Sequence, residues 1–460
     1  MDTSVLVVTI LLLSLAGYWM GRARARALAG GRHLSVLHSL PSYHGSYVAL
    51  WCGLPALLLV AAWLALEPAI VEYLVMHALK GTQGLSDAEL SLLSADIRNL
   101  ASGNIVSRDV DPALAAAAEH YTSLRDTGRG AMIVVALSAA IYGLYIARKR
   151  LGQSFRARNQ VERIVRVTMI VASLIAILTT VGIILSLIFE TIRFFDKVSL
   201  SEFLFGLTWS PQTALRAEQV GSSGAFGAIP IFAGTFMITA IAMFLAVPIG
   251  LLSAIYMSEY AGPRLRASAK PILEVLAGIP TVVYGFFAAL TVAPFFREAG
   301  ETAGLAVSSE SALAAGLVMG VMIIPFVSSL SDDVMNAVPQ SLRDGAYALG
   351  ATQSETIKQV ILPAALPGIV GAVLLATSRA IGETMIVVMA AGLAANLTAN
   401  PLEAVTTVTV QIVTLLVGDQ EFDSAKTLAA FALGLVLFII TLGLNMIALR
   451  VVRRYREKYD

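Results

Sequence analysis

One arginine and one glutamate interrupt an apolar stretch of the sequence, LLATSRAIGETMIVVMAAG at residues 374–392. Arg379 and Glu383 are four residues apart, so a continuous helix would place them on one face, where their charges can pair. A guanidinium can also hold an oxyanion through two parallel hydrogen bonds. The two residues therefore predict either a structural ion pair or a substrate site at which Glu383 holds Arg379 while no anion is bound.

The composition indicates that this stretch lies in a membrane. The 460 residues are 57% hydrophobic and only 14% charged, with a mean hydropathy of +0.77, whereas soluble domains contain about 25% charged residues. Apolar runs long enough to cross a bilayer as helices recur at residues 4–20, 47–66, 131–147, 167–189, 229–257, 272–296, 311–331, 367–394 and 428–449. Because only helices satisfy their own backbone groups in lipid, the expected fold is an all-α polytopic membrane protein with about nine spans.

The charges between these runs predict how the chain crosses the membrane. With residue 1 outside and residue 460 inside, the inner segments contain 21 Lys and Arg against 8 acidic residues, and the outer segments contain 10 against 21. The positive-inside rule favours this orientation, with Asp344 in the cytoplasm and Glu421 outside. Arg379 is then the only basic residue within the nine runs, and an intramembrane charge is costly and marks a functional site.

Two blocks are expected along the chain. Residues 1–150 hold three spans and an external loop near residues 67–130, and residues 151–460 hold six spans. Two short helices are expected in the external loop: Ser86 and Glu89 form a capping-box pattern, and Asp111 precedes Pro112 as an N-cap precedes the first helical residue. A packed spacer and a docking surface both remain open for this loop.

Catalytic motifs are not found in the sequence. It contains neither a phosphate-binding GxxxxGK[ST] loop nor a GxSxG motif, and its single cysteine, Cys52, lies in an apolar run. The spacing of the five histidines matches no standard metal site. We therefore expect a protein that is not an enzyme and that carries no cofactor or metal of its own.

The inner loop at residues 332–366 has a clear local pattern. A helix is predicted over 341–349, Gly350 is the residue that can adopt a positive φ after it, and Thr352 with Glu355 forms a capping box for a second helix. Pro363 and Pro367 are expected to end that second helix. The pattern predicts a compact hook made of two helices with Gly350 between them, which either packs passively on the bundle or is moved by a soluble partner.

The hook resembles the EAA loop of ABC-importer permeases. The residues on the positions of that pattern are Asp344, Gly345, Ala346, Gly350, Val360, Leu362 and Pro363. The sequence has Asp-Gly-Ala where the pattern has Glu-Ala-Ala, but the spacing is retained. The resemblance implies a type I, MetI-like six-helix core whose loop couples it to a separate ATPase subunit, on which ATP and Mg²⁺ are bound.

A narrower resemblance follows from LAGIPTVVYGFFA at residues 276–288 and SRAIGETMIVVMAAG at residues 378–392. Both are similar to the phosphate permeases of the Pst type, the second more to the C subunit than to the A subunit. The resemblance covers about residues 160–455 and leaves the first 150 as an N-terminal membrane extension.

This second resemblance implies a bacterial inner-membrane subunit that imports inorganic phosphate by alternating access. Its partners would be a related permease as heterodimer, a cytoplasmic ATPase dimer and a periplasmic phosphate-binding protein, and Arg379 and Glu383 would lie on the substrate pathway. Two alternatives stay open from the sequence. One is a permease for sulfate, molybdate or phosphonate, and the other is an ion-coupled transporter or channel.

Overall fold

A computed structural model describes residues 2–29, 37–79, 87–103, 111–213, 223–417 and 423–455. The chain divides into two compact units, Met1–Leu178 and Thr179–Asp460. The predicted block boundary at residue 150 precedes this division, which falls inside one long helix.

The first unit is a helical bundle. It contains α1 (Thr3–Ala29), α2 (Pro41–Ala78), α3 (Asp87–Ala101), α4 (Pro112–Lys149) and the first part of α5 (Ala157–Phe195). Apolar residues of α1, α2 and α4 form one buried cluster around Ile10, Cys52 and Met132. A second cluster joins the C-terminal part of α2 and the N-terminal part of α4 to α3.

The external helices differ from their prediction in one respect. Asp111 is the N-cap of α4, because its carboxylate accepts the Leu114 N–H at 2.6 Å, and Pro112 follows it in the first turn, as predicted. The helix then runs without a break through the third apolar run to Lys149. The expectation of a separate second external helix is therefore wrong, since nothing between Pro112 and the apolar run interrupts the helical pattern. Ser86 and Glu421 lie outside the described residues.

The second unit begins with the end of α5 and contains most of the elements. They are α6 (Leu200–Phe205), β1 (Trp209–Thr213), β2 (Ser223–Phe226), α7 (Ile229–Ile255), α8 (Pro263–Ala277), α9 (Thr281–Phe287), α10 (Ala293–Thr302), α11 (Ala312–Asn336), α12 (Gln340–Ala348), α13 (Gln353–Thr356), α14 (Leu362–Ile381), α15 (Met385–Ala390), α16 (Val408–Leu416) and α17 (Ala425–Tyr455). The two strands form an antiparallel pair in which Trp209 faces Phe226. Of three π-helical turns, the one at 256–260 ends α7, whereas those at 288–292 and 357–361 lead directly into α10 and α14.

The core of this unit is formed by α7 and α11. Small buried residues such as Ala242, Ala246 and Ala315 let the two helices approach closely, as is usual where lipid-embedded helices pack. Residues of α14, α15 and the π turn at 288–292 complete the same cluster.

Within the described residues, nine helices are long and apolar enough to cross a membrane, which confirms the expected all-helical membrane fold. Two of the predicted runs are broken. The run at 272–296 is divided by Gly278, Ile279 and Pro280 between α8 and α9, and the run at 367–394 is divided at residues 382–384 between α14 and α15. The apolar composition that defined both runs does not report where a backbone stops being helical.

The prolines after the hook do not end a helix, contrary to the prediction. The π turn at Ile357–Ile361 leads directly into α14, with Pro363 in its first turn and Pro367 inside it. The Leu362 N–H bonds to the carbonyl of Ile357, five residues back. This wider turn rearranges the hydrogen-bond ladder next to Pro363, where a regular α-helix would lack a donor.

Candidate functional site

The turn of the hook is formed by Gly350. Its φ is +86°, its N–H bonds to the Tyr347 carbonyl at 3.0 Å, and the Ala351 N–H bonds to the Ala346 carbonyl at 3.1 Å. These two bonds define a Schellman motif, in which the residue with positive φ follows the helix cap. The predicted role of Gly350 is confirmed, and the helix before it ends within a residue of its predicted end.

The second helix of the hook begins with the predicted capping box. The Glu355 N–H donates to Thr352 Oγ1 at 3.4 Å, and the Thr352 N–H donates to Glu355 Oε2 at 2.8 Å. Each residue therefore satisfies a backbone donor of the other. The turn between α12 and α13 is thus held by backbone and side-chain bonds on both sides.

The residues of the predicted coupling loop divide between the two faces of the hook. Asp344, Gly345 and Gly350 are exposed, whereas Ala346 is buried. Leu362 is half-buried and Pro363 is exposed at the start of α14. Leu349, at the tip, is 91% exposed, which leaves an apolar contact point on the outer face of the hook.

A buried ion pair that the sequence reasoning missed fixes the inner face of the hook. Arg343 of α12 donates through Nη2 to Glu259 Oε1 at 3.0 Å, and the two side chains are only 10% and 7% exposed. The signal in the sequence was the acidic residue in IYMSEY, just after the C-terminal end of an apolar run. Without the fold, nothing related it to an arginine 84 residues later.

A second ionic cluster lies at the same end of α11. Asp332 is 1% exposed and accepts hydrogen bonds from Arg266 Nη2 and Lys270 Nζ, both at 3.1 Å. The bond to Asp332 raises the pKa of Lys270, so the ammonium stays charged. Both cations belong to α8, so the cluster attaches this amphipathic helix to the end of α11.

Arg379 and Glu383 are not joined as the sequence suggested. The helix α14 ends at Ile381, and Glu383 follows the break, where its Oε1 accepts the Met385 and Ile386 N–H groups at 3.1 and 3.5 Å. Among the described residues, no carboxylate lies within 4.0 Å of the Arg379 guanidinium. The expected i,i+4 pair fails because it required a continuous helix through residue 383.

Arg379 instead lies over an aromatic ring. Its guanidinium carbon is 5.6 Å from the ring centroid of Phe326 on α11, and its side chain is exposed on the isolated chain. Such a cation–π contact leaves the hydrogen-bond donors of the guanidinium available. Next to it on α14, Ser378 donates to Asn445 of α17 at 3.0 Å.

The two broken runs meet each other. A Cβ at Gly285 of α9 would lie 2.8 Å from Met389 Sδ and 3.0 Å from the Met385 carbonyl of α15, so this glycine permits the close approach. These helices belong to the two stretches, 276–288 and 378–392, that carry the narrower family resemblance in the sequence. Irregular backbone at membrane depth is tolerated where it is buried in protein or lines a water-filled cavity.

Among the described residues, no group of three or more His, Cys, Asp or Glu side chains could hold a metal ion. The candidate site consists of Arg379, close to the helix break at residues 382–384, and of the hook, which Arg343 attaches to Glu259 at the end of α7.

Two family models match the sequence. The model described as a phosphate ATP-binding cassette transporter matches residues 7–179, and the model described as the inner membrane component of binding-protein-dependent transport systems matches residues 246–457. The N-terminal unit is therefore also part of a recognised family pattern, which the sequence reasoning did not detect.

Curated relatives resemble more than half of the chain. A probable ABC transporter permease of Bacillus subtilis is 36% identical over 295 residues, which cover 63% of this chain and 90% of the relative. The phosphate transport system permease protein PstC 1 of Mycobacterium tuberculosis is 35% identical, covering 55% and 81%. PstC of Haemophilus influenzae is 33% identical, covering 61% and 90%.

Similar solved structures include two ABC transporters. A transporter for the acidic polysaccharide alginate matches at 15% identity with a TM-score of 0.44, covering 66% of this chain and 100% of that one. The methionine transporter MetNI matches at 19% identity with a TM-score of 0.37, covering 50% and 95%.

Proposed function

The chain belongs to the family of phosphate ABC transporter permeases, and from this premise we propose that it carries inorganic phosphate into the cytoplasm by alternating access. As a permease component it is a multi-pass membrane protein without a catalytic role of its own. Partner ATPase and binding-protein subunits are implied by the family. The proposed assembly adds a related permease as heterodimer, two cytoplasmic ATPases and one periplasmic phosphate-binding protein.

The observation that carries the proposal is the position of Arg379. A membrane helix exposes this charge on the isolated chain, with no acidic partner among the described residues, and such a charge is stable only against protein, water or a bound anion. A surface formed with the second permease would supply that environment. There the planar fork of the guanidinium fits two phosphate oxygens.

Glu383 has a different role in this proposal from the one its spacing suggested. Its carboxylate holds the first amides of α15, and Thr409 of α16 donates to its backbone carbonyl at 2.8 Å. Glu383 therefore fixes the break next to Arg379. Its negative charge also limits how tightly an anion is held, so that phosphate is released.

The proposed cycle begins outside the cell. The outer segments carry 21 acidic against 10 basic residues, a surface that does not attract a free anion, so phosphate arrives on its binding protein. ATP binding brings the two ATPase subunits together and moves the hooks, which opens the path past Arg379 to one side at a time. Hydrolysis then resets the assembly.

The proposed orientation places the hook in the cytoplasm and can be tested by labelling. Single cysteines replace Asp344 in the hook and Ala399 in the loop before α16, in a Cys52→Ala background. An impermeant maleimide added to intact cells is expected to label residue 399 and not residue 344, because the charge distribution places them on opposite sides. Labelling at 344 in intact cells means that the orientation is inverted.

The substrate is tested on the assembled complex in liposomes. Co-purification with an ATPase and a second permease is expected. ATP hydrolysis should rise severalfold with phosphate-loaded binding protein, but not with the same protein offered sulfate, molybdate or phosphonate. If ATP hydrolysis is stimulated only by another oxyanion, that anion is the transported substrate. Uptake that survives ATP depletion, in a preparation lacking the ATPase, means that the chain is an ion-coupled transporter or channel.

A further inference from the structure

Glu259 receives contacts from both helices of the hook. Its Oε1 accepts Arg343 Nη2 of α12 at 3.0 Å, and its backbone carbonyl accepts Gln353 Nε2 of α13 at 2.6 Å. Ser258 Oγ donates to the same Oε1 at 3.0 Å. Glu259 lies in the π turn that ends α7, so the hook is attached on both sides of Gly350 to the inner end of that helix.

Arg343 extends the same attachment to α11. Its Nη1 donates to the Val338 carbonyl at 2.7 Å, and its Nη2 donates to the Met335 carbonyl at 2.8 Å. These carbonyls lie at and just beyond the C-terminal end of α11, where helical carbonyls lack partners and a positive charge is favourable. One guanidinium therefore links α12, α7 and α11.

We infer that Glu259 and Arg343 are positioning residues that transmit movement of the hook to α7 and α11 together. The inference rests on the proposed function. Separating a buried ion pair leaves an uncompensated charge in each partner, which is strongly unfavourable. The inner ends of α7 and α11 must therefore follow α12 when the ATPase moves the hook.

The hook also packs on these helices through apolar residues, because Leu342 of α12 and Ile357 of the π turn after α13 share one cluster with Ala254 of α7 and Met335 of α11. Ala346, the other buried residue of α12, has a small apolar side chain. The Asp332 cluster fixes α8 to α11 and does not include a residue of the hook. If the pair only stabilised the fold, its removal would lower all activities of the complex in proportion. If it transmits movement, its removal leaves an ATPase that turns over without responding to the binding protein.

The test uses Glu259→Gln and Arg343→Gln in the complete complex. Both variants are expected to assemble and to retain basal ATP hydrolysis, while hydrolysis stimulated by phosphate-loaded binding protein falls at least tenfold toward the basal rate. The double variant should be no worse than Arg343→Gln alone, because that single change already removes the ion pair with Glu259. If Arg343→Gln does not assemble, the ratio of stimulated to basal ATP hydrolysis in Glu259→Gln decides the test. This variant is expected to fold because the glutamine amide oxygen still accepts hydrogen bonds.

A spin label supplies a second measurement that does not depend on the substrate. The label is placed at Leu252→Cys on α7, which is 66% exposed, in a Cys52→Ala background. Trapping with ATP and vanadate should change its spectrum in the otherwise wild-type complex and leave it unchanged in both variants. If the label responds to trapping but phosphate-loaded binding protein gives no stimulation, the phosphate assignment is wrong. The inference about Glu259 and Arg343 is then decided by whether the spectrum of the label changes in their variants.

Arg158→Gln is the matched control. Arg158 also pairs with a glutamate, Glu162, at 2.6 Å, but their side chains are 63% and 46% exposed, so little is expected from its loss. This variant should keep wild-type stimulation. The inference is overturned if either pair variant keeps full stimulation, if its label still responds to trapping, or if basal and stimulated hydrolysis fall by the same factor.

Discussion

Arg379→Ala is expected to lower phosphate uptake about a hundredfold, which corresponds to about 2.8 kcal/mol, while the complex assembles in normal amounts. Each hydrogen bond to a charged group contributes about 1.5–3 kcal/mol, and a bidentate contact combines two. Assembly should persist because Arg379 makes no ion pair within its own chain among the described residues. The measurement is uptake of labelled phosphate into liposomes, normalised to the amount of complex.

Arg379→Lys distinguishes the contribution of the planar guanidinium from that of its positive charge. A lysine keeps the positive charge but binds as a point charge, without the planar pair of donors. We expect it to recover only a minor part of the uptake. Full uptake in Arg379→Lys contradicts a bidentate site, and full uptake in Arg379→Ala removes Arg379 from the pathway altogether.

The exchanged variant, Arg379→Glu with Glu383→Arg, is also expected to transport little. A structural lock would tolerate the exchange in part, but the structure gives two reasons for failure. The cation moves beyond the end of α14, and the carboxylate that accepts two amides of α15 is lost. Recovery of most uptake overturns the substrate-site proposal. Arg297→Ala is the control, since that arginine of α10 is half exposed and bonds to Ser309 and Glu301.

The hook could be predicted from its amino-acid sequence because interactions between neighbouring residues determine its structure. A glycine with positive φ and a reciprocal cap each require particular residues at fixed offsets. Gly350, Thr352 and Glu355 adopt the expected roles. The helix count was also predictable, since bilayer thickness sets the length of an apolar run.

The relations between distant segments could not be predicted in the same way. The pairing of Glu259 with Arg343 joins residues 84 positions apart, and no periodicity relates them. The break after Ile381 removed the predicted contact between Arg379 and Glu383. A spacing of four residues places two charges on one face only if every peptide between them is helical, and a Gly-Glu-Thr sequence in an apolar run does not report that by itself.

The stretches at residues 276–288 and 378–392 combine a local feature, a helix break, with a contact between distant parts of the sequence. Each contains a helix break in the structure, and Gly285 of one packs on Met389 of the other. In these two stretches, the polar and small residues within the apolar run coincide with a break in the helix.

Gly350→Val is expected to uncouple ATP hydrolysis from phosphate uptake. A residue with a Cβ is disfavoured by about 1–2 kcal/mol in the left-handed region, and a β-branched one by more. A Cβ built at Gly350, whose φ is +86°, meets nothing within 4 Å, so the harm comes from the backbone and not from crowding. Uptake should therefore decrease in the order Gly, Asn, Ala, Val, because asparagine tolerates this conformation best among residues with a side chain.

The ratio of uptake to basal ATP hydrolysis measures this uncoupling, and Gly304→Val is its matched control. Gly304 follows α10 with a φ of +73° and open space around it, and its motif has the same two bonds, from the Gly304 N–H to Glu301 and from the Leu305 N–H to Gly300. The same strain is thus introduced at a helix end outside the hook, where coupling should be kept. If Gly350→Val keeps the wild-type ratio, or if Gly304→Val lowers it equally, the hook is not the element that couples the two activities. Equal harm from Gly350→Ala and Gly350→Val points instead to a surface that must accept the ATPase closely at residue 350.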